Sequence, residues 1–198
     1  MRSFEKDMEA AAAYHGHICS GIVLGVRMAR LGSQLLGIED PLNYRDLVVY
    51  IEIDRCATDA IYAVTHCTMG RRRLKFIDHG KLAATFVDLA TDKAVRLAVI
   101  SEHFPPEDGD LMQFWSAIPD EEMFKIQQVV KIVPPEDRPG KPLRSTTCQD
   151  CGEKVMDGRD VTVAGRTLCR GCASSNRDGG RMVEIINKQI RKGHDTAA

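Results

Sequence analysis

Most of the chemistry open to this 198-residue chain lies in seven cysteines and six histidines, and the cysteines fall into two groups. Cys148, Cys151, Cys169 and Cys172 form two Cys-x2-Cys pairs with 17 residues between them. Zinc takes four soft or borderline ligands in a tetrahedron, with thiolates at about 2.3 Å. One Cys-x2-Cys turn sets two sulfurs on one side of the ion, its backbone amides pointing at the thiolates, and a second turn closes the site. A structural four-cysteine zinc is therefore expected, with iron as the competing metal for the same donors. The surrounding segment is short and poor in large apolar groups, so it would struggle to fold alone. Metal binding worth roughly 10–16 kcal/mol explains how it holds together.

The second group is scattered. His15, His17 and Cys19 alternate, so an extended backbone would point all three side chains one way. Cys19 also stands just before a helix expected from Ser20, where free amides and the helix dipole favour a thiolate, as nucleophile or as ligand. Cys56 follows an expected strand and precedes a helix, and Cys67 follows that helix. Taken singly, each cysteine is more often a small buried hydrophobe than a reactive group. Two histidines beside a cysteine raise the case for a second transition-metal site, drawn from His15, His17, Cys19, Cys56 and Cys67, or for Cys19 as a catalytic thiol. The Arg71-Arg72-Arg73 run reads first as a solvated face, yet beside Gly70 and Lys81 it could clamp an anion through Arg71 and Lys81. His66, His79 and His103 are isolated and read as structural or exposed.

The elements that must position these residues follow from periodicity. Glu5–Tyr14 is helical by its alanine run. Ser20–Ile38 is the clearest helix, with Arg27, Arg30 and Gln34 as its polar stripe and nearly everything else apolar or small. Gly21, Gly25 and Ala29 recur every four residues and allow close backbone approach, in a dimer seam or, as the preferred reading, within the fold. Leu47–Ile53 is a buried strand and Thr58–His66 a short helix. Lys75–Asp78 and Leu82–Asp88 read as strands joined by a tight His79-Gly80 turn, Ala94–Ile100 as another strand, Pro119–Gln128 as a helix and Val129–Val133 as a last strand. Helices mixed with a largely local sheet give an α+β class.

Four prolines between Pro134 and Pro142 read as an extended linker. The expected organisation is a core over residues 1–133, a linker over 134–143 and a four-cysteine zinc-finger module over 144–198. In that module Val161–Leu168 reads as a hairpin turning at Ala164-Gly165, and Arg181–Ile190 as a helix, the order of a treble clef. From Arg144 onward ten Lys/Arg face seven Asp/Glu, a small positive excess that four thiolates on a divalent ion would largely erase. The net charge of −1 gives no reason to expect a nucleic-acid or membrane surface. The apolar stretch Gly21–Ile38 is interrupted by two arginines. With no signal-like N-terminus, the expected location is cytoplasmic, where paired cysteines serve metal or catalysis rather than disulfides.

His15-Gly16-His17-Ile18-Cys19-Ser20-Gly21 resembles the signature of the FmdE family, named for the E component of formylmethanofuran dehydrogenase. The resemblance continues through Arg55-Cys56-Ala57-Thr58-Asp59-Ala60-Ile61, Cys67-Thr68-Met69-Gly70 and Asp78-His79-Gly80-Lys81-Leu82-Ala83-Ala84-Thr85-Phe86, with the four-cysteine finger behind. It implies a dimerising α+β core, a treble-clef finger on some members and a cleft near the His/Cys motif. It also implies association with molybdenum- or tungsten-dependent formylmethanofuran dehydrogenase, which reduces carbon dioxide onto methanofuran. Many members resemble stand-alone proteins. The family's pattern has proline after the motif cysteine, and this chain has Ser20. Nothing here resembles a molybdopterin-binding or iron–sulfur protein, so redox catalysis would take place elsewhere.

The expected function is a metal-binding accessory protein, a homodimer whose partners are molybdenum or tungsten enzyme subunits or their maturation factors. One alternative is a stand-alone thiol enzyme or sulfur carrier using Cys19, with His15 or His17 as base. Another is a finger-based regulatory or nucleic-acid module, which has only the basic tail behind it.

Overall fold

A computed structural model describes residues 1–107 and 109–174. The chain falls into two compact units: Met1–Val133 with Arg138–Gly140, and Pro134–Asp137 with Lys141 onward.

In the first unit, α1 (Phe4–His15) begins at Ser3, whose side chain accepts from Lys6 N–H, with Glu5 and Asp7 in its first turn. It stops at Gly16, a left-handed residue at φ 99° that lets the cap N–H reach Ala12 O. After three residues the chain enters α2 (Ser20–Leu35), which ends about one turn sooner than its apolar pattern suggests. The stripe of α2 expected to be polar ties elements together. Arg27 donates to Trp115 O, Ile118 O and Asp120, while Arg30 donates to Arg2 O and to the buried carboxylate of Asp7.

β1 (Leu47–Ile51) leads into α3 (Ala57–Thr65), then β2 (Leu74–Phe76), β3 (Ala83–Asp88) and β4 (Lys93–Val99). Next come α4 (Leu111–Ala117), the single-turn α5 (Asp120–Met123) and β5 (Phe124–Val129). The sheet order is β2-β1-β3-β4-β5, parallel between β1 and β2 and antiparallel elsewhere. Val49, Ile51, Ala84, Phe86, Val95 and Leu97 face the helices and share one core with α1, α2 and α3. Val48, Tyr50, Val87 and Ala94 point the other way, into a smaller core closed by Val133. This is an α+β fold.

Three expectations fail, for physical reasons; one of them, the strand expected over Val129–Val133, gives way to a strand that ends at Val129. β2 and β3 do not form a hairpin: Gly80 (φ 63°) does turn, but residues 77–82 carry the chain past the end of β1, so β1 lies between them. His79 N–H and Lys81 N–H both donate to Glu52 O as the loop passes. The helix expected over Pro119–Gln128 lasts one turn, then becomes β5 in register with β4 from Val99↔Phe124 to Ala94↔Val129. The open edge of β4 offers a ladder of backbone bonds, and strand pairing outweighs helix propensity there. In α4, Asp110 caps the helix by accepting from Met112 and Gln113 N–H, and Trp115 fills the core.

The small-residue ridge on α2 faces α3. A Cβ on Gly25 would lie 2.7 Å from both Ala57 Cα and Ala60 Cβ, and one on Gly21 would lie 3.0 Å from Cys56 Cβ. These glycines let two helices touch backbone to backbone within the unit, so the ridge gives no support to a dimer seam.

The second unit contains two short hairpins. β6 (Ser145–Thr147) pairs with β7 (Lys154–Met156), and β8 (Asp160–Val163) with β9 (Arg166–Cys169), followed by the single turn α6 (Arg170–Ala173). Ala164 (φ 50°) and Gly165 (φ 76°) form the two-residue turn between β8 and β9, the positive-φ pair that a twisted hairpin prefers. The helix expected over Arg181–Ile190, and with it the treble-clef order, lies outside the described residues. Among the described residues no helix is long and apolar enough to cross a membrane.

Candidate metal centres

His15 is the last residue of α1, and the left-handed turn at Gly16 swings the following chain back past it. The His15 and His17 rings stand 4.7 Å apart between centroids. Cys19 is the N-cap of α2 in extended backbone, yet its side chain makes no capping hydrogen bond. The ligand atoms of His15, His17 and Cys19 all lie within 4.8 Å of one another. A helix end and a glycine turn achieve this convergence, rather than the continuous extended run expected from the alternation.

The His15 ring is held from behind. Asp59 Oδ2 lies 2.8 Å from Nδ1, and Nε2 is buried with no hydrogen-bond partner among the described residues. A carboxylate on one imidazole nitrogen fixes the tautomer and leaves the other nitrogen basic, the usual arrangement behind a metal-ligating histidine. A buried ring nitrogen without a partner is otherwise costly. Sequence reasoning missed Asp59. Its signal was present: it lies three residues after Cys56 within the Arg55–Ile61 motif, on the same face of α3.

Cys56 stands at the start of α3, half-buried, with its Sγ and that of Cys19 both beside Gly21. Burial pushes the Cys56 thiol above its usual range, and the neighbouring Cys19 adds to that through hydrogen bonding and charge. Cys56 therefore prefers to stay protonated unless a cation compensates its charge. His15, Cys56 and Asp59 line one side of a cleft of about 410 Å³, with Ile51, Asp54, Arg55, Met69 and Phe76 among the other walls.

Other candidates lie apart from this cluster. Cys67 is fully buried, its thiol donating to Leu47 O at 3.5 Å, and burial raises its pKa. Arg71 lines a separate cleft with Arg45, Arg72 and Arg73, whereas Lys81 is exposed on the loop that crosses the end of β1. His79 pairs with Glu52 at 3.2 Å, and His103 with Ser101 Oγ at 2.9 Å. His66 caps α3 in the left-handed region.

In the second unit the sulfurs of Cys148, Cys151, Cys169 and Cys172 all lie within 4.8 Å of one another. Backbone N–H groups of Cys169, Cys151 and Asp150 bring the Cys148 thiol down to about 6. Cys172 is pushed well up, first by hydrogen bonding with Cys169 and then by burial. The amides thus hold one thiolate, and further thiolates need a cation. The donor set suits zinc, as the spacing predicts.

Known proteins bear on both centres. The family described as "FmdE, Molybdenum formylmethanofuran dehydrogenase operon" matches residues 14–130, and "Prokaryotic dksA/traR C4-type zinc finger" matches residues 141–176. A curated relative from Archaeoglobus fulgidus, named "Probable S-adenosyl-L-methionine-binding protein", is 31% identical over 197 residues. That alignment covers 83% of this chain and 52% of the relative, so the chain spans about half the relative's length. Among solved structures, a protein from Syntrophus aciditrophicus described as "tungsten formylmethanofuran dehydrogenase subunit e (fmde)-like" superposes with a TM-score of 0.56 at 20% identity. The match covers 88% of this chain and 94% of the other, a likeness of fold. With a His/Cys cluster on an α+β core and a C4 zinc finger behind it, this chain belongs to the FmdE family.

Proposed function

We propose that this protein is a metal-binding accessory protein whose core holds a transition metal through His15 Nε2, His17 and Cys19, with Cys56 as a further soft donor. The observation that carries the reading is the His15 ring, with Nδ1 fixed by Asp59 and Nε2 buried without a partner beside an imidazole and a thiol. His/Cys donors suit zinc and other borderline divalent ions. Bound there, such an ion would supply Lewis acidity and a template for a ligand entering the cleft. The chain's own part is to set the His15 tautomer through Asp59, to spare Cys19 from helix capping, and to bring Cys56 close through Gly21.

In this reading residues 1–133 form the working core and the four-cysteine module is a zinc-stabilised docking element of treble-clef type. Partners are subunits of a molybdenum or tungsten oxidoreductase or its maturation factors, which accords with the names of the family and of the Syntrophus protein. A homodimer belongs to the same reading. Its support is the outer edge of β5 and the segment after it, where Ile126, Val130 and Ile132 are exposed.

Cobalt(II) titration of the metal-free protein tests the core site. Two sites should fill, one with strong four-thiolate charge-transfer absorption and one with the weaker band of fewer sulfurs. His15→Ala should remove only the weaker band. A spectrum accounted for by four thiolates alone in the unaltered protein would overturn the reading.

A further inference from the structure

We propose that the cleft beside the His/Cys cluster binds a zwitterionic α-amino acid with an apolar or thioether side chain, Asp54 taking the ammonium group and Arg55 the carboxylate. The inference deepens the reading above by naming a ligand class, and rests on it only for which cleft is the working one. The cleft, about 410 Å³, falls within the roughly 300–1,000 Å³ typical of small-molecule sites.

Asp54 and Arg55 are consecutive, opposite in charge and exposed, and both line the cleft. Among the described residues neither side chain has a hydrogen-bond or ion-pair partner. Four arginines of this unit are committed: Arg27 to Asp120 and two carbonyls, Arg30 to Asp7, Arg73 to Tyr44 O and His66 O, Arg96 to Glu52; Arg45 and Arg71, without a side-chain partner among the described residues, line a different cleft. Arg55 is instead an uncommitted guanidinium beside an uncommitted carboxylate. The neighbouring acid, Asp59, is occupied by His15.

That charge pattern selects against single-sign ligands. A phosphate or dicarboxylate would meet Asp54 and Asp59 as well as Arg55, and a diamine would meet Arg55. A molecule carrying both charges on neighbouring atoms satisfies the pair, and an α-amino acid carries them on one carbon. A guanidinium suits its carboxylate through two parallel N–H···O bonds. Beside His15, Cys56 and Thr58, the remaining walls are the apolar Ile51, Met69 and Phe76. Ile51 is buried, and Met69 and Phe76 keep 56% and 40% of their surface exposed, so the cleft offers apolar surface that a ligand can cover. Thioether and aromatic walls suit an apolar or sulfur-bearing side chain.

Isothermal titration with L-methionine as probe tests this on the full chain as purified. Each charge-assisted contact should be worth about tenfold in affinity. N-acetyl-L-methionine and L-methioninamide should each bind about tenfold more weakly than methionine, and glycine more weakly still. Arg55→Gln should no longer distinguish methionine from its amide. Asp54→Asn should no longer distinguish it from the N-acetyl form. Equal binding of the blocked analogues, discrimination that survives in both variants, or no binding of methionine at millimolar concentration would each overturn the proposal. Elemental analysis of the same samples separates the two readings: one zinc per chain with discrimination intact removes the core metal and leaves the amino-acid site standing.

Discussion

Replacing Asp59 by alanine should weaken metal binding at the core site while leaving the finger untouched. The contact is a 2.8 Å bond between Asp59 Oδ2 and His15 Nδ1. Such charge-assisted bonds are worth about 1.5–3 kcal/mol. The His15 side chain retains 16% exposure and Asp59 38%, so water competes for the carboxylate and the lower figure applies. About 1.5 kcal/mol corresponds to roughly tenfold in dissociation constant, at the bottom of the ~10–100-fold range for groups behind metal-bound histidines. Asp59→Asn keeps an oxygen that accepts the Nδ1 proton and loses only the charge, so its effect should be a few-fold. The assay is competition with a chromophoric chelator after the finger has been saturated, with thermal midpoints recorded alongside. Unchanged core affinity in Asp59→Ala would refute the reasoning, because His15 would then not need its carboxylate to serve as a ligand. A loss matched by a collapsed midpoint would mean that Asp59 acts through folding.

Three further outcomes follow from the same structure. Gly25→Ala would place a Cβ 2.7 Å from Ala57 and Ala60; crowding of about 1–3 kcal/mol should outweigh a helix-propensity gain of about 1 kcal/mol, so a urea midpoint that rises would contradict the close α2–α3 packing. Hydrogen bonds from Arg96 hold the Glu52 carboxyl below the usual range against the opposing effect of burial. A depressed folded-state value gives stability that is present above the ordinary carboxylate range and lost as pH falls through it, so acid should cost Glu52→Gln less stability than the unaltered chain. Stripping metal with a chelator from a His15→Ala variant, which lacks the core ion, should collapse amide protection over residues 145–169 while the emission of Trp115, buried in the first unit, stays constant; a Trp115 shift there would show that the core depends on the finger.

Sequence was a good guide where local signals and tertiary demands agreed. The cysteine spacing located the four-sulfur cluster, and the positive-φ pair Ala164-Gly165 turned where expected. β1 and α3 fall close to their expected spans because a short apolar run and a helix of matching period leave few alternatives. β5 was misread because Asp120–Glu122 form a good helix start, while the reason to become a strand lies in the free edge of β4, far back in the chain. The same limit hid the order of β2, β1 and β3. In the core centre, His15, His17 and Cys19 were readable from their spacing; Asp59 stands in the Arg55–Ile61 motif, but only the packing of α3 against α1, which brings its carboxylate to the ring, gives it a role. The arginines of α2 read only as a polar stripe because their partners, Asp7 and the end of α4, are distant in sequence.

The most direct measurement of the central claim is metal per chain, by elemental analysis of the purified protein beside Cys19→Ala/Cys56→Ala. Two metals per chain falling to one in the variant is the expected result, with the finger's zinc retained. One zinc in both would contradict the account, confining metal to Cys148, Cys151, Cys169 and Cys172 and leaving the buried Nε2 of His15 in need of another explanation.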